Sequence, residues 1–539
     1  MLRKALSREK SFFFLVNLLH LFPLFSGKFF PILDAPSHLY NARLINDLLL
    51  GENELVHRFF SLNGDPVPNW TGHFILAVLK WIMPSFLAEK LLILSYALGL
   101  AYAFRYLLRA TPNGRPLLAY LVLPFIYHNL FFVGFYNFCL GLTFLFLSLG
   151  YYQKSRAIGF KVKRMGVLFL LFLLTYFSHL FPFAALLLIL GTENIYTLVH
   201  RLFVERSPQG ASFRATAKRG GKLFLCLLPP LLLMAFYFLK RPIIGEGDYL
   251  AMDELLTRLG RLDALIWLNT PHEATYTSIL NYALIAFLLI GVYERIKFCS
   301  RSFQGKANTD QMPFRKRLFQ RSDHWLIAAL VLLLFYFHFP NSNGEAGVIT
   351  SRFELLFYLF ALLWVSTLKF PKWAIVSMIS VLLFTTFSLN AFYYSELVPL
   401  QRTAANCYQL SKELEPQSLV LPINRSNNWM HHHFVDYLGI EGSSVVLENY
   451  EADKSYFPVK WKEEMPKPLF GPLFRSELSC KYWPGDPNAP SRPIDYVLLL
   501  GGKKELQPCQ KKADSILHNS YQKLRQEGDA ALYRFKGKD

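Results

Sequence analysis

The segment Leu33-Asp-Ala-Pro-Ser-His-Leu-Tyr-Asn-Ala-Arg43 places a carboxylate directly before a helix start at Ala35-Pro36 and a histidine one turn later. A negative charge is favoured at that end of a helix, and Asp34 and His38, four residues apart, can face one pocket. Held ionised there, Asp34 has the chemistry of a general base, and His38 that of a ligand to a metal or a phosphate. The same spacing is met equally by Asp34 capping the helix and His38 lying solvated at an interface. A second group is His431-His432-His433 with Asp436 nearby. Three consecutive histidines do not easily reach one ion from a strand or helix, so a metal site completed by Asp436 competes with a surface cluster.

The composition limits the elements that can hold these groups. Of 539 residues 53% are hydrophobic and 16% aromatic, more than a water-soluble fold can readily hide. The apolar residues fall in blocks at Leu15–Phe25, Leu91–Leu108, Leu117–Gly134, Phe135–Tyr151, Val167–Phe177, Leu180–Leu190, Leu223–Leu239, Ile279–Tyr293, Leu326–Phe339, Leu355–Leu368 and Ala374–Phe392. Flanking aromatic and small residues extend most of them toward the roughly 20 residues a crossing needs, which predicts about eleven transmembrane helices. The net charge of +19 would suit nucleic acid, but its placement argues against that partner. Lys and Arg gather around Arg3–Lys10, Arg105–Arg115, Lys154–Arg164, Arg201–Lys222, Arg295–Arg321 and Lys369–Lys372, whereas the loops at 27–73, 240–275 and 340–352 are acidic or balanced. This is the positive-inside pattern, so the N-terminus is expected in the cytoplasm and an odd number of crossings puts the C-terminal part outside. The alternation requires a break in Tyr176–Pro182, which Pro182 supplies, and a tight turn at Gly134–Asn137, both facing outward. A cleaved signal peptide is the competing reading of the first block, and the lack of a clear small-x-small site weighs against it.

The outer segment after the first crossing, roughly 45 residues, is too long for a simple connection. Leu39, Leu44, Ile45, Leu48 and Leu49 make an apolar face that stops at Gly51, and Leu255, Leu256, Leu259 and Leu262 make another within Leu250–Ile266. Both helices are expected to lie flat in the membrane interface. From Gln401 the composition becomes that of a soluble domain, with short strands at Ser418–Ile423, Ser443–Leu447 and Asp495–Leu500 and helical stretches at Leu410–Glu415 and Ala513–Gln526. Pro466–Pro493 reads as an irregular loop. The expected organisation is an α-helical polytopic membrane domain over 1–400, with outer-loop helices in 27–73 and 240–275, and a small extracytoplasmic α/β domain over 401–539. Neither a Gly-rich phosphate cradle nor a fixed-period repeat is present. Cys139, Cys226 and Cys299 read as core residues, while Cys407, Cys480 and Cys509 fall where oxidation is permitted. Cys480 with Cys509 is the expected pair, Cys407 a competing partner.

Asp34 in this setting, the amphipathic helix after it, Val67-Pro-Asn-Trp-Thr-Gly-His73 and a many-crossing core ending in a soluble tail resemble the GT-C superfamily of polytopic glycosyltransferases. That superfamily includes protein mannosyltransferases, aminoarabinose transferases and many bacterial members. The likeness covers nearly the whole chain in architecture but only short stretches in residues. It implies a glycosyltransferase of the bacterial inner membrane that moves a sugar from a polyprenyl-phosphate donor to a glycan, lipid or protein acceptor, with inversion. Asp34 matches the superfamily's essential acidic residue by position and so takes the general-base role. No acidic residue adjoins Asp34, which leaves open whether a divalent metal, Mg²⁺ or Mn²⁺, sits at Asp34 and His38.

Such a reaction needs cations at the departing lipid phosphate. Arg352 stands in a poorly basic outer loop and can give forked hydrogen bonds, so it is the leading phosphate ligand; a snorkelling anchor is the other reading. Glu345 and Glu354 can orient it or bind an amine or metal. His179, at an outward turn, and His38 are further donor-phosphate candidates, against a reading of His179 as a helix-turn residue bonded to backbone. Tyr40, Asn41, His73, Tyr136 and Asn137 are expected to shape the pocket, and His57 is a weaker candidate. A transporter or flippase of lipid-linked glycans is the main alternative, but it calls for ionisable residues deep within crossings, whereas here they collect at outer loop ends. A plain anchor for an external binding domain leaves the helical loop around Asp34 unexplained.

Overall fold

The computed structural model describes residues 2–51, 53–241, 247–268, 273–300, 318–343, 346–462, 494–502, 514–515 and 517–537. Glu345, Cys480, Cys509 and the Pro-rich stretch 466–493 lie outside the described residues. Two compact units form, one of Met1–Phe22, Leu94–Phe131 and Phe138–Phe392, the other of Pro23–Ile93, Phe132–Asn137 and Tyr393–Asp539.

Among the described residues five helices are long and apolar enough to cross a membrane: Ser85–Ala110, Leu180–Val204, Gln209–Lys240, Glu273–Ser300 and Lys372–Glu413. In Gln209–Lys240 only 22% of the most apolar window is buried, and Leu225, Leu232 and Leu239 stand exposed. Leaving a leucine-sized side chain in water forfeits roughly 1.5–3 kcal/mol relative to burial. Lipid is the solvent that suits such faces, and the chain is an integral membrane protein. The other six apolar blocks form shorter or less apolar helices. Leu117–Gly134 differs most from its expected crossing. Its first part is a 3-10 helix of 10 residues, Pro116–Phe125, with prolines at both ends of the run. At about 2 Å per residue such a helix spans roughly 20 Å, short of a hydrocarbon core of about 30 Å. The break expected near Pro182 is real and falls at His179, between helices Val162–Ser178 and Leu180–Val199.

The second unit is built on a five-stranded sheet ordered β3-β2-β5-β7-β6, formed by β2 (Leu419–Asn424), β3 (Val445–Val446), β5 (Tyr496–Leu500), β6 (Tyr521–Glu527) and β7 (Ala530–Phe535). β2 runs parallel to β3 and β5, and the β6–β7 hairpin continues the sheet antiparallel. A separate ribbon pairs β1 (Phe60–Leu62) with β4 (Val459–Trp461). The stretch Ala513–Gln526, read as containing helix, is helical at 517–520 and becomes β6 from Tyr521, where hairpin pairing through Gly528, whose φ is +53°, holds the backbone extended. Cys407 is a buried free thiol.

The helix Ala35–Leu50 does not lie flat at an interface. Every residue from Ala35 to Asn46 is buried, and the polar side chains are spent on the unit's own backbone. Arg43 donates to the carbonyls of Gly439 and Ser444. Tyr40 donates its hydroxyl to Val446 O at 3.2 Å and accepts from Val446 N at 2.9 Å. Polar groups buried in this way must be paired, and these bonds fix the helix by its polar face. The other amphipathic stretch, with helix Met252–Leu259, belongs to the first unit.

Candidate functional site

Asp34 occupies the position before the helix yet makes no cap bond with its side chain. That decides against the capping role. The preceding backbone is pinned instead, with Leu33 N donating to Phe132 O at 3.2 Å and Asp34 N to Val133 O at 3.1 Å. The partner segment then turns at Gly134, whose φ is +98°. A Cβ at Gly134 would lie 2.7 Å from Asp34 Cβ and 2.8 Å from Asp34 N, so only glycine lets the two segments approach. The buried Asp34 carboxylate has Oδ1 3.6 Å from His433 Nε2 and a hydrogen bond from Tyr450. Burial pushes its pKa up, opposed by the nearby His433 and His38 rings and by the Tyr450 bond.

His433 is held from its other side. Its Nδ1 lies 2.8 Å from Glu448 Oε1, and its ring stacks on Tyr450 at 4.6 Å. Burial raises the Glu448 carboxyl well above the ordinary range. Asp436 accepts from Ser37 Oγ at 2.6 Å. Burial and then the Glu448 charge raise its pKa well above the ordinary carboxylate value. Of the three consecutive histidines only His433 reaches this group with Asp436 and Glu448. His431 bonds Ser426 through Nδ1 at 2.8 Å instead.

One turn along the helix, His38 joins a second buried group. Its Nδ1 lies 2.7 Å from Glu451 Oε1 and 3.3 Å from His73 Nε2, while its Nε2 donates to Gly134 O at 2.7 Å. His73 Nε2 lies 2.7 Å from Glu451 Oε2, and Asn41 donates to that same oxygen at 2.8 Å. Burial opposes charge on His38, but the Glu451 charge outweighs it and lifts the ring to about 9. Burial likewise disfavours the Glu451 anion, and the His38 and His73 rings together hold the carboxyl below its usual range. His38, His73 and Glu451 present ligand atoms within 4.8 Å of one another.

The expected pocket residues in this unit are brought together, with different tasks. Asn41 orients Glu451, and Tyr40 ties the helix to β3. Tyr136 donates to Glu89 Oε1 at 3.0 Å and packs its ring 5.3 Å from His38. Asn137 accepts from Gly72 N at 2.7 Å and lies 3.2 Å from His73 Nδ1. Arg352 and His179 belong to the other unit. There Arg352 is buried, 5.0 Å over the Phe181 ring, which sets aside the snorkelling role. His179 caps its helix, accepting from Phe181 N at 3.0 Å, and its ring meets Phe138 edge-on. Sequence reasoning missed Glu448, Tyr450 and Glu451. The available signal was Glu448-Asn-Tyr-Glu451 directly after a buried strand, since ligand sites favour the carboxyl ends of parallel strands.

The molecule is thus an integral membrane protein with a buried carboxylate–histidine site in its second unit. No family model and no curated protein sequence matches the chain. Among solved structures it is similar to the Archaeoglobus fulgidus oligosaccharyltransferase, crystallised tethered to an acceptor peptide, at 12% identity and a TM-score of 0.44, over 96% of this chain and 72% of that one. A score below 0.5 does not establish a shared fold.

Proposed function

We propose that the chain is a GT-C-type membrane glycosyltransferase that moves a sugar from a polyprenyl-phosphate carrier to an acceptor hydroxyl at the outer membrane surface, with inversion. The observation that carries this reading is the Asp34 carboxylate, buried, unused as a cap and placed by Gly134, His433 and Tyr450. In an inverting displacement one carboxylate removes the acceptor proton while the acceptor oxygen bonds to the anomeric carbon and the lipid phosphate leaves with its bonding electrons. In the other unit Arg352, a buried guanidinium, and His179 have the chemistry to bind a phosphate. About eleven crossings, with the N-terminus in the cytoplasm and residues 401–539 outside, belong to the same proposal.

The residues fit a divalent metal, although not as a pair of Asp34 and His38. His38, His73 and Glu451 offer two nitrogens and an oxygen, a set that suits a transition ion such as Mn²⁺ better than Mg²⁺. These residues would hold such an ion with His38 deprotonated, and it would supply positive charge to an anionic group there. Glu451→Gln is expected to lower metal retention by about tenfold or more, read as metal per protein by mass spectrometry. Equal retention in wild type and variant removes this site.

A raised pKa on a general base has a defined sign. Asp34 acts when deprotonated, so the acid limb of kcat/KM sits above the pH at which a solvent-exposed aspartate titrates. His433 is first among the neighbours that hold that pKa down. His433→Gln should therefore move the limb to higher pH and slow transfer at neutral pH. A limb that stays in place or moves down would remove His433 from this role.

The function itself is tested by deleting the gene and comparing surface glycans and lipid-linked sugars by mass spectrometry. Loss of a glycan with accumulation of its donor on the outer leaflet supports transfer. Unchanged glycans with cargo held on the inner leaflet identify a flippase.

A further inference from the structure

The first unit contains a cavity of about 480 Å³ on which four basic segments of the sequence converge. Its walls come from the end of helix Tyr136–Ile158, the turn at Arg201, the early part of helix Gln209–Lys240 and Arg321. Among its 12 lining residues Arg156, Arg201, Lys218, Arg219, Lys222 and Arg321 are cationic, and none is acidic. Two of the six are neutralised, Arg156 by Glu193 and Arg321 by Glu205. Arg201, Lys218, Arg219 and Lys222 form no salt bridge among the described residues.

The positive-inside pattern accounts for cations at loops, where water solvates them. It does not account for their meeting in a concavity, nor for two buried donors left over there. Gln153 is 4% exposed and its Nε2 has no hydrogen-bond acceptor. Arg219 donates through Nε to Asn194 Oδ1 at 2.9 Å, but its buried Nη2 has no partner either. A buried donor without an acceptor costs about 1–3 kcal/mol, so such groups ordinarily mark a missing ligand or water. The volume lies in the usual range for ligand pockets, roughly 300–1,000 Å³. Basic pockets between membrane helices bind phosphorylated headgroups, with Arg giving forked bonds to phosphate oxygens.

We propose that this cavity is a binding site for a phosphate-bearing polyanion, with Gln153 and Arg219 donating to its oxygens and Arg201, Lys218 and Lys222 balancing its charge. The chemistry is shared by an anionic lipid headgroup and by free diphosphate. The proposal is independent of the transferase reading, because it concerns the other unit and is read out by binding.

The test uses the full chain purified in detergent, with thermal unfolding followed against inorganic pyrophosphate and, separately, in phosphatidylcholine nanodiscs with and without phosphatidic acid. Sulfate at matched ionic strength is the control for screening. Stabilisation by pyrophosphate in detergent identifies a soluble ligand class, and stabilisation confined to phosphatidic acid identifies a headgroup. Either supports the site, provided that Arg201→Gln/Lys218→Gln weakens the response tenfold or more while Arg214→Gln, on the same helix but outside the cavity lining, leaves it unchanged. Both positions in the double variant have side chains that are not buried, so the fold is expected to persist, and native mass spectrometry of retained lipid gives a second readout. No response to either phosphate compound overturns the proposal, as does an equal loss in the double variant and in Arg214→Gln.

Discussion

Replacing Asp34 with Asn is expected to lower sugar transfer by roughly 10²- to 10⁴-fold, the contribution typical of a positioned general base. The protein should still reach the membrane in normal amount. Asn has the same shape and can still accept the Tyr450 hydrogen bond. The change also removes a buried charge, which is energetically unfavourable unless fully paired. Stability therefore holds or improves while the base disappears. Complementation of a deletion strain, with glycan measured by mass spectrometry and protein by immunoblot, separates the two quantities. Transfer that survives at more than a tenth of wild type would remove Asp34 as the base.

The second large effect is expected at Gly134, which touches no substrate in the proposed scheme. An alanine there meets Asp34 backbone and Cβ at 2.7–3.0 Å and is forced to φ +98°. The strained conformation alone costs about 1–3 kcal/mol. The clash adds displacement of Asp34, and Gly134 O also anchors His38. Misplacing a reacting group by about 1 Å can cost on the order of 10²-fold in rate. Gly51, which ends the same helix, provides the control, because its φ is +75° but a Cβ would meet nothing within 4 Å. Gly51→Ala should share the stability loss and keep the activity. If both variants lose activity equally, the close approach at Asp34 is not what matters.

Much of this site was visible in the residues themselves. Asp34 and His38 stood out because a proline-marked helix start fixes their mutual geometry, and β2, β3 and β5 were recognisable as buried apolar runs. The partners of Asp34 were less accessible. Glu448, Tyr450 and Glu451 reach it through a fold that joins positions about four hundred apart in sequence, and local periodicity carries no trace of such a pairing. The flat-lying role expected for Ala35–Leu50 failed for the same reason. An apolar stripe was read as facing lipid, whereas the polar face had bonding partners in the last part of the chain. The edge strand β6 was missed because Tyr521 is its only buried residue, so it lacks the alternation that marks a half-buried strand.

That joining of first loop and final segment also sets a schedule. A ribosome makes Asp34 and His38 roughly four hundred residues before His433, Glu448 and Glu451, so over that stretch of synthesis a nascent chain carries half of the constellation. The buried site then stays unassembled until the segment carrying His433 to Glu451 has been made and has docked on the helix Ala35–Leu50.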